Sequence, residues 1–174
     1  MRKTTRRAAI VLAGGVAAAR GAGVRDQLIG VWRLHRYELK DKVTGVVTHP
    51  YTEKPHGRLA YDSAGRMSAQ LMRPGRKPMG GDVPQAAAAL ILERATEVEL
   101  REMAVGFLGY YGTYRVVEAE RKIIHKVEAC LIPNWVGTEL RRGYELEDSG
   151  RRLTLIAETP RVLGRLAWLR EAAG

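Results

Sequence analysis

From Leu28 almost to the C-terminus this chain is a succession of short segments in which apolar and polar residues alternate, each closed by a turn containing glycine, proline or charge. In the clearest of them Leu59, Tyr61, Met67, Ala69 and Leu71 share one parity, while Arg58, Asp62, Arg66, Ser68 and Gln70 share the other. Alternate side chains point to opposite faces of a strand, so this ribbon has one buried face and one wet face. Asp62-Ser63-Ala64-Gly65 and Glu147-Asp148-Ser149-Gly150 join two such pairs and offer glycine for positive φ, which reads as hairpin loops. Nine strands follow from the pattern, near 29–39, 43–48, 57–62, 66–72, 110–118, 122–132, 138–147, 152–158 and 163–170.

One helical stretch interrupts them, over 83–106. Asp82-Val83-Pro84-Gln85 and Thr96-Glu97-Val98-Glu99 each place a capping residue three positions before Gln or Glu. After Thr96, Leu100, Met103, Ala104 and Phe107 follow i, i+3, i+4, i+7 spacing, so a short helix with a face to bury is expected over one end of the sheet. The preceding Arg73–Gly81 stretch is basic and rich in proline and glycine, the composition expected of a mobile lid.

The first residues are of another kind. Arg2, Lys3, Arg6 and Arg7 precede the apolar run Ala8–Ala19, which is shorter than the roughly 20 residues of a spanning helix. Basic, then apolar, then small is the order of a cleavable signal peptide, expected over residues 1–22 ahead of a domain at 26–172. Thr5-Arg6-Arg7 also resembles a twin-arginine signal, so both export routes stay open, with the periplasm or the exterior as destination. Four cations and no acid leave with residues 1–19, so the net charge falls from +10 to +6. The remaining cations are scattered as singles and pairs, which gives no reason to expect nucleic acid, and no stable membrane span is expected after processing. Cys130 is the single cysteine, so stability has to come from the core, which 45% hydrophobic residues can build.

Sandwich and barrel both suit about nine antiparallel strands, and two segments favour the barrel. Gly30-Val31-Trp32 opens the first strand and Trp168-Leu169-Arg170 closes the last. If these strands meet, the arginine can lie over the indole and close the barrel end, making Gly30, Trp32 and Arg170 the closure residues. Together with Gly57-Arg58-Leu59, Met67 to Pro74, Tyr111-Gly112-Thr113-Tyr114 and Pro133-Asn134-Trp135-Val136-Gly137-Thr138, they make residues 26–170 resemble the bacterial and fungal lipocalin-like domain family. The resemblance implies an all-β, antiparallel up-and-down barrel of about 8–10 strands, of calycin type, with an interior pocket. His35 stands where the family usually carries a small or apolar residue, and a histidine there could reshape the pocket.

Within such a pocket the sequence offers Gln70, Tyr110, Tyr114, Glu128, Trp135 and Arg141 as lining or gating groups for a small apolar or amphipathic ligand. Tyr110 and Tyr114 share a face that Tyr111 does not, and tyrosine combines buried area with a polar tip. Trp135 is either a loop anchor or a pocket gate. The alternative is a cofactor-independent isomerase, cyclase or lyase in the same cavity, with Glu128, His125 or Tyr114 as acid and base. His125 and Glu128 lie three apart, so both enter the barrel only across a bulge, and Glu128 paired to Arg141 or Arg142 is the plainer expectation. His35, His49, His56 and His125 show no metal-ligand spacing and no phosphate loop is present, so neither metal nor cofactor is expected. An interaction module docking through its basic surface is a third possibility, and the sequence does not fix the oligomeric state.

Overall fold

A computed structural model describes residues 23–81 and 88–172 of the chain. The leader expected over residues 1–22 and the first helix-start signal at 82–85 lie outside them.

The alternating segments form strands β1 (Gly30–Asp41), β2 (Val47–Thr48), β3 (His56–Tyr61), β4 (Arg66–Met72), β5 (Phe107–Val117), β6 (Lys122–Cys130), β7 (Glu139–Glu147), β8 (Arg152–Glu158) and β9 (Val162–Arg170). Each pairs antiparallel with the next in a meander, except that β2 pairs only with the end of β1. β1 also pairs with β9 from Trp32↔Arg170 to Asp41↔Val162, which closes eight strands into a barrel and leaves β2 as an appendage. β2 is shorter than expected because Asp41 accepts hydrogen bonds from the amides of Val43 (2.8 Å) and Thr44 (2.9 Å). That Asx-type turn commits 43–45 to a loop. Both expected hairpin loops form, with Gly65 at φ +85° and Gly150 at φ +79°.

Two strands carry an extra residue. On β1 the partners run Leu34↔Trp168 and then Arg36↔Ala167, so His35 is skipped. On β6 they run Tyr111↔Ala129 and then Gly112↔Val127, so Glu128 is skipped. A bulge reverses the parity of all that follows. Trp32 and Leu34 point inward before His35, and Tyr37 and Leu39 do so after it. His35 itself faces solvent, so it reshapes the interior by shifting its neighbours. On β6 the bulge keeps Glu128 outside and brings Cys130 against the core.

The closure residues meet as expected. The Arg170 guanidinium lies 4.1 Å from the Trp32 ring centroid and donates to the carbonyls of Gly150 (2.9 Å), Ile29 (2.8 Å) and Gln27. Trp32 donates its indole N–H to Leu28 O at 2.9 Å, which ties down α1 (Val24–Leu28) beneath the barrel. Gly30 sits at φ +136°, and a Cβ there would stand 2.7 Å from Arg170 Nη1. Above this floor, Trp32, Leu34, Leu59, Tyr61, Met67, Ile123, Val127 and Leu153 fill the lower half of the barrel.

Between β4 and β5 the chain forms α2 (Ala88–Arg94) and α3 (Glu97–Val105). Thr96 and Glu99 make the expected capping box, each side chain accepting from the other's backbone N–H. The expected burial of the α3 face does not occur. None of its residues is buried, and Leu100, Met103, Ala104 and Phe107 instead line a shallow outer groove with Arg76, Leu92 and Leu131. The helix is held at the rim by Arg73–Glu102 (2.8 Å) and by Gly80 N–H donating to Glu99 (3.0 Å), so the 73–81 loop runs along α3.

Candidate functional site

The upper half of the barrel is not filled. A cavity of about 240 Å³ is lined by Tyr37 and Leu39 from β1, Leu71 from β4, Leu108 and Tyr110 from β5, Arg142 from β7, Leu155 and Ala157 from β8, and Gly164, Leu166 and Trp168 from β9. Trp135 completes the wall from a short 3₁₀ turn, Pro133–Trp135, that links β6 to β7. The turn is fixed by Thr138, whose hydroxyl donates to Trp135 O at 2.8 Å. The walls are mainly aliphatic and aromatic and carry no carboxylate.

Two of the six lining candidates named from the sequence meet here. Tyr110 and Trp135 stand edge to face, with ring centroids 6.4 Å apart. The others do not enter the cavity. Gln70 and Arg141 lie on the outward parity of β4 and β7 and are exposed, Arg141 pairing with Glu120. Glu128 is the outward residue of its bulge, paired neither with Arg141 nor with Arg142. Tyr114 does point inward, but near the floor, and its hydroxyl donates to Asp62 O at 3.0 Å. Of the three groups named for acid–base chemistry, Glu128 therefore has no access to the cavity and Tyr114 is committed to the hairpin. The residue missed from the sequence is Arg142. Leu140-x-Arg142-x-Tyr144-x-Leu146 is an inward parity that the apolar members of β7 reveal.

His125 is fully buried between two tyrosines, with Nε2 2.7 Å from the Tyr61 hydroxyl and Nδ1 3.1 Å from the Tyr110 hydroxyl. Burial, reinforced by the positive charge of Arg142, lowers its pKa from 6.5 to about 3, so the ring is neutral. An unfolded chain takes up this proton near pH 6.5 and the folded one does not until about pH 3. Acid therefore favours unfolding, and the contribution of neutral His125, complete above pH 6.5, is lost as pH falls through that window. Between pH 6.5 and about 5, above the carboxylate range, wild-type stability is expected to drop by about 2 kcal/mol. Urea midpoints at the two pH values read this directly, and a His125→Gln variant should show little slope; an equal slope would remove His125 as its source.

Closed topology, a floor sealed by arginine over tryptophan and an apolar cavity at the opposite end define a small lipocalin-like barrel. The chain belongs to the lipocalin-like domain family, whose model matches residues 29–170. It is 35% identical over 82 residues, 44% of this chain and 67% of the relative, to the 4'-hydroxy-3'-methoxypropiophenone carrier protein ppsC of Aspergillus oryzae. Among solved structures it is similar to the wild-type fluorescent protein UnaG, covering 83% of this chain and 98% of that one, at a TM-score of 0.37 and 11% identity.

Proposed function

We propose that this protein binds and carries a small, largely apolar or amphipathic molecule in the upper cavity of its barrel. The observation that carries this reading is the contrast between the two halves of one interior. Below, side chains pack to the floor; above, aliphatic and aromatic walls enclose open space. A void of this kind forfeits the contacts its lining would otherwise make, so an occupant that restores them binds favourably. At about 240 Å³ it lies just under the roughly 300–1,000 Å³ usual for drug-sized ligands, which suits a molecule of one or two rings or a short chain. A relative that carries a phenolic aryl ketone, by its name, supports the same reading.

Trp135 and Trp168 in the wall make the protein its own reporter. Titration with 4'-hydroxy-3'-methoxypropiophenone and a panel of other single-ring ketones, phenols and short-chain fatty acids is expected to give saturable changes in tryptophan fluorescence. Ala157→Phe, which places a ring in the cavity, should weaken binding at least about tenfold while leaving the far-UV circular dichroism unchanged, since a 1.4 kcal/mol clash is already a factor of ten. Binding that is undiminished in Ala157→Phe would place the ligand elsewhere, and a wild-type protein that ignores the whole panel would sink the proposal.

A further inference from the structure

This mainly apolar cavity carries the hydroxyls of Tyr37, Tyr110 and Thr159, and its one charged group among the described residues is the Arg142 guanidinium. Arg142 enters from β7 and has no carboxylate partner among the described residues, although Arg165, Arg170 and several outer arginines are each paired or bonded to carbonyls. The Arg142 guanidinium is partly buried and lies within hydrogen-bond reach of the Tyr110 hydroxyl, which leaves a positive charge at the cavity wall without a counter-ion among the described residues.

The orientation of Tyr110 follows from counting protons. The Tyr61 hydroxyl is buried, and His125 Nε2 at 2.7 Å is its hydrogen-bond partner among the described residues. An O–H left without an acceptor there would be costly, so Tyr61 donates and Nε2 accepts. A neutral imidazole then carries its proton on Nδ1 and donates it to the Tyr110 oxygen. The Tyr110 oxygen, accepting from Nδ1, lies within reach of the Arg142 guanidinium, and its own proton is directed away from His125. The Trp168 indole N–H, by contrast, is buried without a hydrogen-bond partner among the described residues.

We propose that the cavity holds its occupant by an acidic oxygen, a carboxylate or a phenolate, gripped between the Arg142 guanidinium and the Tyr110 hydroxyl, with the apolar body against Trp135 and Leu155. This rests on the carrier reading above and adds the ligand's charge and orientation. His125 acts as a positioning residue: it sets the direction of the Tyr110 proton without touching the ligand. A guanidinium donating to an oxyanion makes a charge-assisted bond, roughly twice as strong as a neutral one, and the apolar surroundings screen it little.

Two matched probe pairs test the proposal in the intact protein by tryptophan fluorescence and calorimetry. One pair is 4'-hydroxy-3'-methoxypropiophenone against its 4'-O-methyl ether, at a pH above the pKa of the phenol; the other is 3-phenylpropanoate against its methyl ester. In wild type at least one acidic probe is expected to bind tenfold or more tightly than its neutral partner, and the pair that shows the preference identifies phenolate or carboxylate as the source. Arg142→Met should abolish the preference while the neutral probes keep their affinity within about threefold, and Tyr110→Phe should reduce it in part. His125→Gln should reduce it in part as well, and a preference undiminished in that variant would overturn the positioning role of His125. Neutral probes that bind as well as their acidic partners, or a preference that survives Arg142→Met, would overturn the anion grip and leave the carrier reading intact. No binding by any probe would overturn both.

Discussion

Gly112→Ala is expected to cost at least about 3 kcal/mol and to unfold the protein or leave it poorly soluble, at the upper end of what overpacking does. The cause is the β6 bulge. The extra residue at Glu128 presses the backbone of β6 towards β5, so a Cβ on residue 112 would lie 1.9 Å from Lys126 O and 3.0 Å from Glu128 N. The obstacles are backbone atoms in a paired ladder, which cannot swing aside as the end of a side chain would. Relief requires Tyr111–Thr113 or Lys126–Glu128 to leave register, and either movement carries Tyr110 and His125 with it. Urea titration monitored by circular dichroism should show the lost midpoint, with Gly80→Ala, where nothing but a carboxylate oxygen at 3.9 Å comes near, unfolding like wild type. A Gly112→Ala protein of ordinary stability would mean that the strands pair here without the bulge.

The second large effect is at the floor. Arg170→Met is expected to destabilise the barrel by about 3 kcal/mol, combining a desolvated cation–π contact with hydrogen bonds from a charged donor. Methionine keeps much of the apolar stem but leaves the carbonyls of Gln27, Ile29 and Gly150 without their donor and Trp32 without its lid. Arg170→Lys should recover only a minor part, because a single ammonium cannot span three carbonyls and lie flat on an indole at once. The discriminating control is Arg165→Met, whose guanidinium is half exposed and paired with Glu145 at 2.5 Å, and which should cost well under 1 kcal/mol. Equal losses at the two positions would show that the floor contact has no special weight.

Much of the barrel was legible in the residues. Alternation located the strands, the glycine-bearing loops located two hairpins, and the Gly30-x-Trp32 and terminal Arg170 pairing anticipated the closure that β1 and β9 make. The site was harder to read, for a physical reason. Assigning a side chain to the inside requires an unbroken count of two along each strand, and the bulges at His35 and Glu128 break that count within β1 and β6. Neither bulge residue is glycine, and neither has a local signature in the sequence, since the extra residue is defined by a partner strand far along the chain. Glu128 was thus credited with access that its bulge denies it. Arg141 was a different kind of error: β7 is regular, and Leu140, Tyr144 and Leu146 already marked Arg142 as the inward arginine. The failure to bury the α3 face has its own cause. Periodicity shows that a helix has an apolar side, whereas what that side meets depends on where the rim of the barrel leaves room.

The two bulges change the inward phase of β1 and β6 between the floor and the upper end of the barrel. Below them the inward residues answer to the floor and to one another; above them a separate set surrounds empty space. A substitution upstairs at Leu39, Ala157 or Leu166 alters the shape of the room without reaching the tryptophan and arginine that hold the walls upright. Such a protein can be re-let to a different tenant while its foundations stay as they are.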